Sequence, residues 1–266
     1  MWFMSEGISQ RQACKLVQIA RSTAQYVFKV KDDDFFIGLF EELVQKHPSI
    51  GFWQCLHRIK LMGHIINHKR LYRIYTSMKL NIRRRAKKRL PARLKQELFN
   101  PTAPNQVWSL DFMTDALWDG SRFRLLNIID DYNRQVLRIE TDTSLPALRV
   151  IRVLEQLKES RGLPKMIRVD NGPEFISHKL DAYCKQNKID LVFIQPGKPT
   201  QNAFIERLNG TLRTELLNAY IFKTINEVRI MTEKWQYDYN YKRPHKSLGY
   251  KTPMMVLNEK NVFLKL

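Results

Sequence analysis

Residues 104–115 read PNQVWSLDFMTD, and the rest of the chain is parsed outward from them. Val107 to Met113 is an apolar run rich in β-branched and aromatic residues, which predicts a strand, and Asp111 interrupts it. Phe123–Asp130 predicts a second strand after a turn at Trp118–Ser121, and Gln135–Glu140 a third after a turn at Asp131–Arg134. Leu145–Ser160 has the period of an amphipathic helix, with Pro146 in its first turn and Gly162 at its end. Met166–Val169 predicts a strand, Ile176–Asn187 a helix, Leu191–Ile194 a strand and Ala203–Leu217 a long helix. Meandering strands followed by alternating helices and strands describe a mixed α/β layer, antiparallel at first and built from crossovers later.

The charge balance points to the partner. The 266 residues carry 45 Lys and Arg against 26 Asp and Glu, a net charge of +19. With 44% hydrophobic residues the chain can bury a core, so the excess implies a polyanion, nucleic acid before anionic membrane. The sequence contains no apolar run long enough for a membrane helix, and its N-terminus lacks the pattern of a secretory signal. Cys14, Cys55 and Cys184 are widely spaced and odd in number, which suits a reducing cytosol rather than a disulfide framework. Residues 1–105 hold 20 of the basic residues and 7 of the acidic ones, so most of the excess precedes the first strand.

That basic part reads as helices. Ser9 is placed to cap a helix reaching Ile19, and Ser22 or Thr23 to start another carrying Ala24, Val27 and Phe28, a helix-turn-helix pattern. Phe36–Gln45, Phe52–Met62 and Asn67–Met78 predict a second helical unit, with a turn at Pro48–Gly51 and Gly63 as a C-cap. Lys69, Arg70 and Arg73 face outward between Leu71, Ile74 and Tyr75. Arg83, Arg84, Arg85, Lys87, Lys88 and Arg89 form a nearly continuous basic run, read as phosphate contacts rather than a solvated helix end. Pro91, Pro101 and Pro104 then mark a linker. His64 and His68 are four residues apart but have no further Cys or His nearby to complete a zinc site.

Three carboxylates stand where chemistry fits. Asp111 lies within a strand, Asp170 ends one and enters Asn171-Gly172-Pro173, and Glu206 lies on a helix with Ile205, Leu208 and Leu212. Gathered together, such carboxylates repel, and cations or protons relieve them; hard oxygen ligands suit Mg²⁺. By spacing alone Asp115, Asp130, Asp131 and Glu174 are equal candidates.

Asp111, Asp170 and Glu206, the last two separated by 35 residues, resemble the DD(35)E signature of the retroviral-integrase superfamily. PNQVWSLDFMTD, LLNIIDDYNR, RVDNGPEF, QPGKPTQNAFIERLNGTLR and YNYKRPHKSLGYKTP resemble, in order, blocks of the OrfB-type transposases of bacterial insertion sequences, family three. The resemblance covers roughly residues 104–253, with a weaker likeness at 9–30 and 43–78. It departs at Trp53, where relatives often carry a smaller or basic residue.

The resemblance implies an α/β fold, an RNase H-like mixed-sheet core preceded by small all-α units of helix-turn-helix type. The expected divisions are 1–35, helix-turn-helix-like; 36–90, a second helical DNA-binding unit with a basic tail; 91–105, a linker; 106–220, the catalytic core; and 221–266, a helical extension. It implies an enzyme that cleaves DNA ends and joins them to a target, with Asp111, Asp170 and Glu206 as catalytic ligands of Mg²⁺ or Mn²⁺, two ions in all. Asn171, Lys198, Asn202 and Arg207 become candidate contacts to DNA or the catalytic loop. Tyr239, Asn240, Arg243, Pro244 and His245 match the closing block, readable as packing or as DNA contact.

The implied partners are terminal inverted repeats and target DNA, further copies of the chain on DNA, and an upstream-frame OrfA product. The implied setting is the bacterial cytoplasm, at the nucleoid and without a membrane. A non-catalytic DNA-binding protein or inactive remnant is the alternative, and a ribonuclease H the second. The acidic trio in matching blocks argues against the first, and the long basic preface against the other.

Overall fold

A computed structural model describes residues 7–27, 32–82, 101–195 and 202–263. Contacts divide the chain into two compact units, residues 1–38 and 39–266. In the first, Ser9 and Gln12 form a capping box at the start of α1, Gln10–Leu16. The next helix, α2, is a single turn, Arg21–Ala24, so Val27 lies outside the helix expected there, and Phe28 falls outside the described residues. The run Tyr26-Val27 supplies aromatic and β-branched residues, which lose rotamer freedom in a helix and do not extend it.

Helices lead into the second unit. Helix α3 spans Asp34–Lys46, α4 Phe52–Leu61 and α5 His68–Ser77. Gly63 follows α4 at φ +93°, a conformation that favours glycine, and the Asn67 side chain caps α5 by accepting from the Lys69 amide at 2.9 Å. Phe40, Cys55, Leu56, Ile59, Leu71, Ile74 and Tyr75 form their buried interior.

A five-stranded sheet follows, with β1 Val107–Ala116, β2 Arg122–Asp130, β3 Val136–Asp142, β4 Met166–Val169 and β5 Asp190–Phe193. Its order is β3-β2-β1-β4-β5; the first three strands pair antiparallel, and β4 and β5 run parallel to β1, as expected for a meander followed by crossovers. Helices α6, Ala147–Arg161, and α7, His178–Gln186, pack on one face. On the other lie α8, Ala203–Leu212, a π-helical turn at Arg213–Leu217, and α9, Ile225–Tyr241. A final helix, α10, spans Pro253–Phe263.

Each face has its own apolar core. Trp108, Leu110, Leu126, Ile128, Val153 and Leu154 belong to one, and Met113, Phe123, Leu125, Ile205, Leu208 and Leu212 to the other. Alternation along β1 therefore sends Trp108 and Leu110 toward α6 and α7, and Met113 toward α8. Asp111 has the parity of Met113 and faces α8. No described helix is long and apolar enough to cross a membrane.

Candidate active site

Register brings the first two carboxylates together. Ser109 on β1 pairs with Arg168 on parallel β4, and Asp111 and Asp170 each lie two residues further on, at the same end of adjacent strands. Glu206 is in the first turn of α8, whose Ile205 and Leu208 pack onto that sheet face. Asp111 is half-buried. Burial, and then the charges of Asp170 and Glu206, push its carboxyl up to about 6, against hydrogen bonds that favour the ionised form. Burial also raises the Glu206 carboxyl.

The hydrogen bonds on Asp111 show a residue that sequence reading passes over. The Phe112 amide donates to its Oδ1 at 2.8 Å, and Asn209 Nδ2 donates to Oδ2 at 2.6 Å. Asn127, opposite Asp111 on β2, donates in turn to Asn209 Oδ1 at 2.7 Å. Asn209 lies three residues after Glu206, on the same side of the helix, and that spacing was the available signal. Asp170 accepts from the Gly172 amide at 2.9 Å, and a Cβ on Gly172 would sit 3.0 Å from the same oxygen. The turn after β4 therefore holds the carboxylate by a close backbone approach.

The rival acids have partners. Asp115 pairs with Arg213 at 2.7 Å, and Glu174 with Arg124. Asp130 is fully buried, accepts from the Asn105 amide at 2.9 Å and meets Arg161 at 3.2 Å. Asp131, also fully buried, accepts from Ser109 at 3.0 Å and from Arg168 at 2.8 Å. These four are structural ion pairs. Among the described residues, no ion pair involves Asp111, Asp170 or Glu206.

The donor set fits a hard divalent cation, since a cation would relieve the repulsion that raises Asp111. Among the described residues, however, no three His, Cys, Asp or Glu side chains converge into a finished metal cage. Asp111 is satisfied by the Asn209 amide instead.

The candidate DNA contacts are more dispersed. Lys69 and Arg73 are exposed on α5, with Arg70 half-buried beside them, and no acidic residue occurs anywhere between Glu42 and Glu97. Asn171 is exposed and donates to the Ile194 carbonyl at 2.9 Å, joining the ends of β4 and β5; Arg207 is exposed on α8. Asn202 is buried at the start of α8. Arg83, Arg84, Arg85, Lys87, Lys88, Arg89 and Lys198 lie outside the described residues. Trp53 is exposed on α4.

Comparison with known proteins identifies the family. Residues 101–199 and 187–253 match two families, each described as an integrase core domain. The chain is 39% identical over 248 residues to the insertion element IS407 31.7 kDa protein of Burkholderia multivorans, covering 93% of this chain and 90% of that one. It is 35% identical to the insertion element IS476 39.2 kDa protein of Xanthomonas euvesicatoria, covering 91% and 70%. Among solved structures, a simian T-cell lymphotropic virus intasome in complex with PP2A regulatory subunit B56 gamma matches with TM-score 0.52 and 19% identity, covering 74% of this chain and 69% of that one.

The fold is thus that of the RNase H-like polynucleotidyl transferases. Within that class, the chain belongs to the integrase-core family of insertion-element transposases.

Proposed function

We propose that this transposase cleaves the ends of its element and joins them to target DNA, with Asp111, Asp170 and Glu206 as its catalytic carboxylates. The observation that carries the reading is geometric: register sets Asp111 and Asp170 at the same end of adjacent strands, and Glu206 lies in the first turn of the helix packed on that face, with no ion pair to any of the three among the described residues. Two Mg²⁺ or Mn²⁺ ions held there would polarise the scissile phosphate and activate the attacking hydroxyl. The Phe112 amide and Asn209 orient Asp111, and the Gly172 amide orients Asp170. Water is the nucleophile in cleavage and a DNA 3′-hydroxyl in joining, so the protein supplies position and charge rather than a nucleophile.

Lys69, Arg70, Arg73, the basic run of residues 83–89, Asn171, Lys198 and Arg207 are the proposed DNA contacts. Asn202 is buried at the N-cap position of α8, without a side-chain capping bond, and is left out of that set. Mycobacterial relatives at 24–25% identity are named putative transposases for insertion sequence element IS986/IS6110, which supports transposition as the activity; terminal repeats and target DNA are the proposed substrates. The likeness to a chain of a viral intasome supports assembly of several copies on DNA. An upstream-frame OrfA partner and a cytoplasmic, nucleoid-associated setting complete the proposal.

The test is purified protein with labelled DNA carrying the element's ends. Joined products that require Mg²⁺ or Mn²⁺ and vanish with chelator support the reading. Tight DNA binding without cleavage or joining under any divalent metal, with or without the upstream-frame product, would instead support a non-catalytic DNA-binding protein.

A further inference from the structure

The closing block YNYKRPHKSLGY and the helices of residues 39–82 meet in a polar contact that the reaction does not explain. Arg58, buried on α4, forks onto Asp238 of α9, with Nη1 donating to Oδ1 at 3.0 Å and Nη2 to Oδ2. His47 Nε2 lies 3.6 Å from the same carboxylate. Burial alone would raise Asp238, but the hydrogen bonds and charge of Arg58, then His47 and Lys242, hold it below the usual carboxylate range. Gln54 donates to the Pro244 carbonyl at 3.0 Å, and the His57 ring stacks on Tyr250 at 3.5 Å between centroids.

The same contact reaches the helix bearing Glu206. Ser49 Oγ donates to the Thr214 carbonyl at 3.1 Å, within the π-helical turn that continues α8. A π turn widens the backbone ladder and frees carbonyls for outside donors. One residue on, Glu215 takes both Nε and Nη2 of Arg243, at 3.1 and 2.7 Å to Oε1. The Arg243 amide, in turn, donates to the Asp238 carbonyl at 2.8 Å. Arg58, Asp238, Arg243 and Glu215 therefore form a continuous tie between α4 and the end of α8.

We propose that residues 238–250 are the docking surface for the helical unit of residues 39–82, and that the Arg58–Asp238 pair positions this basic unit relative to the helix carrying Glu206. The role rests on the transposase reading, but the docking itself does not. Neither Arg58 nor Asp238 touches the reacting atoms; they are positioning residues. A bidentate, buried Arg–carboxylate pair is suited to this, because it fixes orientation as well as distance.

The experiment is hydrogen exchange on the full chain, without DNA or metal, comparing the parent with Asp238→Asn. Loss of the carboxylate leaves the buried guanidinium without its counter-charge, so α4 amides at residues 55–61 should exchange more than about a hundredfold faster, while those of β1 and β2 keep their protection. In parallel, strand transfer should fall about tenfold or more with end-DNA affinity held within about threefold, and Arg58→Asp with Asp238→Arg should recover part of it.

Unchanged α4 protection would overturn the docking. Equal loss of protection in β1 and β2 would also overturn it, since the pair would then hold the sheet itself. Faster α4 exchange with unchanged strand transfer would overturn the positioning role. A parent protein that joins no DNA under any condition would sink the transposase reading and leave the docking result standing.

Discussion

Replacing Asp111 with Asn should disable the enzyme and, in the absence of metal, make it more stable. Burial and two neighbouring carboxylates move the Asp111 carboxyl from 3.8 to about 6. At about 1.4 kcal/mol per pH unit, keeping it ionised in the folded state costs about 3 kcal/mol. The substitution removes that cost but not without loss. Asp111 accepts on both oxygens, from Phe112 and from Asn209, and an Asn amide can accept only on one. The lost charge-assisted bond offsets about 1–2 kcal/mol, leaving a net gain of about 1–2 kcal/mol.

For a chain of this size, that gain is a rise in Tm of about 2–8 °C. Because the folded-state pKa lies above the unfolded one, the wild-type chain is least burdened below about pH 4 and most burdened above pH 6. The advantage of Asp111→Asn should therefore be full at pH 7.5 and gone near pH 4. Thermal melts in chelator at several pH values measure it. A variant less stable than the parent at pH 7.5, or a difference that does not change with pH, would refute the reasoning.

Gly172→Ala places a methyl 3.0 Å from Asp170 Oδ1 and should reduce strand transfer by about tenfold or more with little change in melting, read from parallel rate and melting assays. Arg168→Met orphans the fully buried Asp131 and should cost about 3–5 kcal/mol in urea unfolding at pH 8. The loss should shrink toward pH 5, because burial already raises the Asp131 carboxyl to about 6 and protonation removes the orphan charge. The Cys55 and Cys184 thiols, pushed by burial to about 12 and about 11, should react with a thiol reagent only on unfolding, a stopped-flow measurement.

The strands were legible because apolar runs of the right length sit between turn residues, and β1, β2 and β4 lie where those runs are. Asp111 stood out as a charge inside such a run. Its rivals could not be separated by sequence, because what disqualifies Asp115, Asp130, Asp131 and Glu174 is an arginine between 31 and 98 positions away. Asn209 was hidden for a related reason: an amide has no charge to draw attention, and only folding places it on Asp111. The π turn after Leu212 continues a helical period, so sequence periodicity merged it with α8. The closing block was recognisable as a block, but its contact with α4 depends on pairs such as Arg58–Asp238, 180 residues apart.

The central claim is that three carboxylates perform the reaction, and removing charge from two of them tests it most directly. Asp170→Asn and Glu206→Gln keep size while discarding a hard oxygen charge. With labelled end DNA and Mg²⁺, both should bind DNA as the parent does and lose more than about a hundredfold in strand transfer, several kcal/mol of transition-state stabilisation. Strand transfer at the parental rate in either variant would contradict the account.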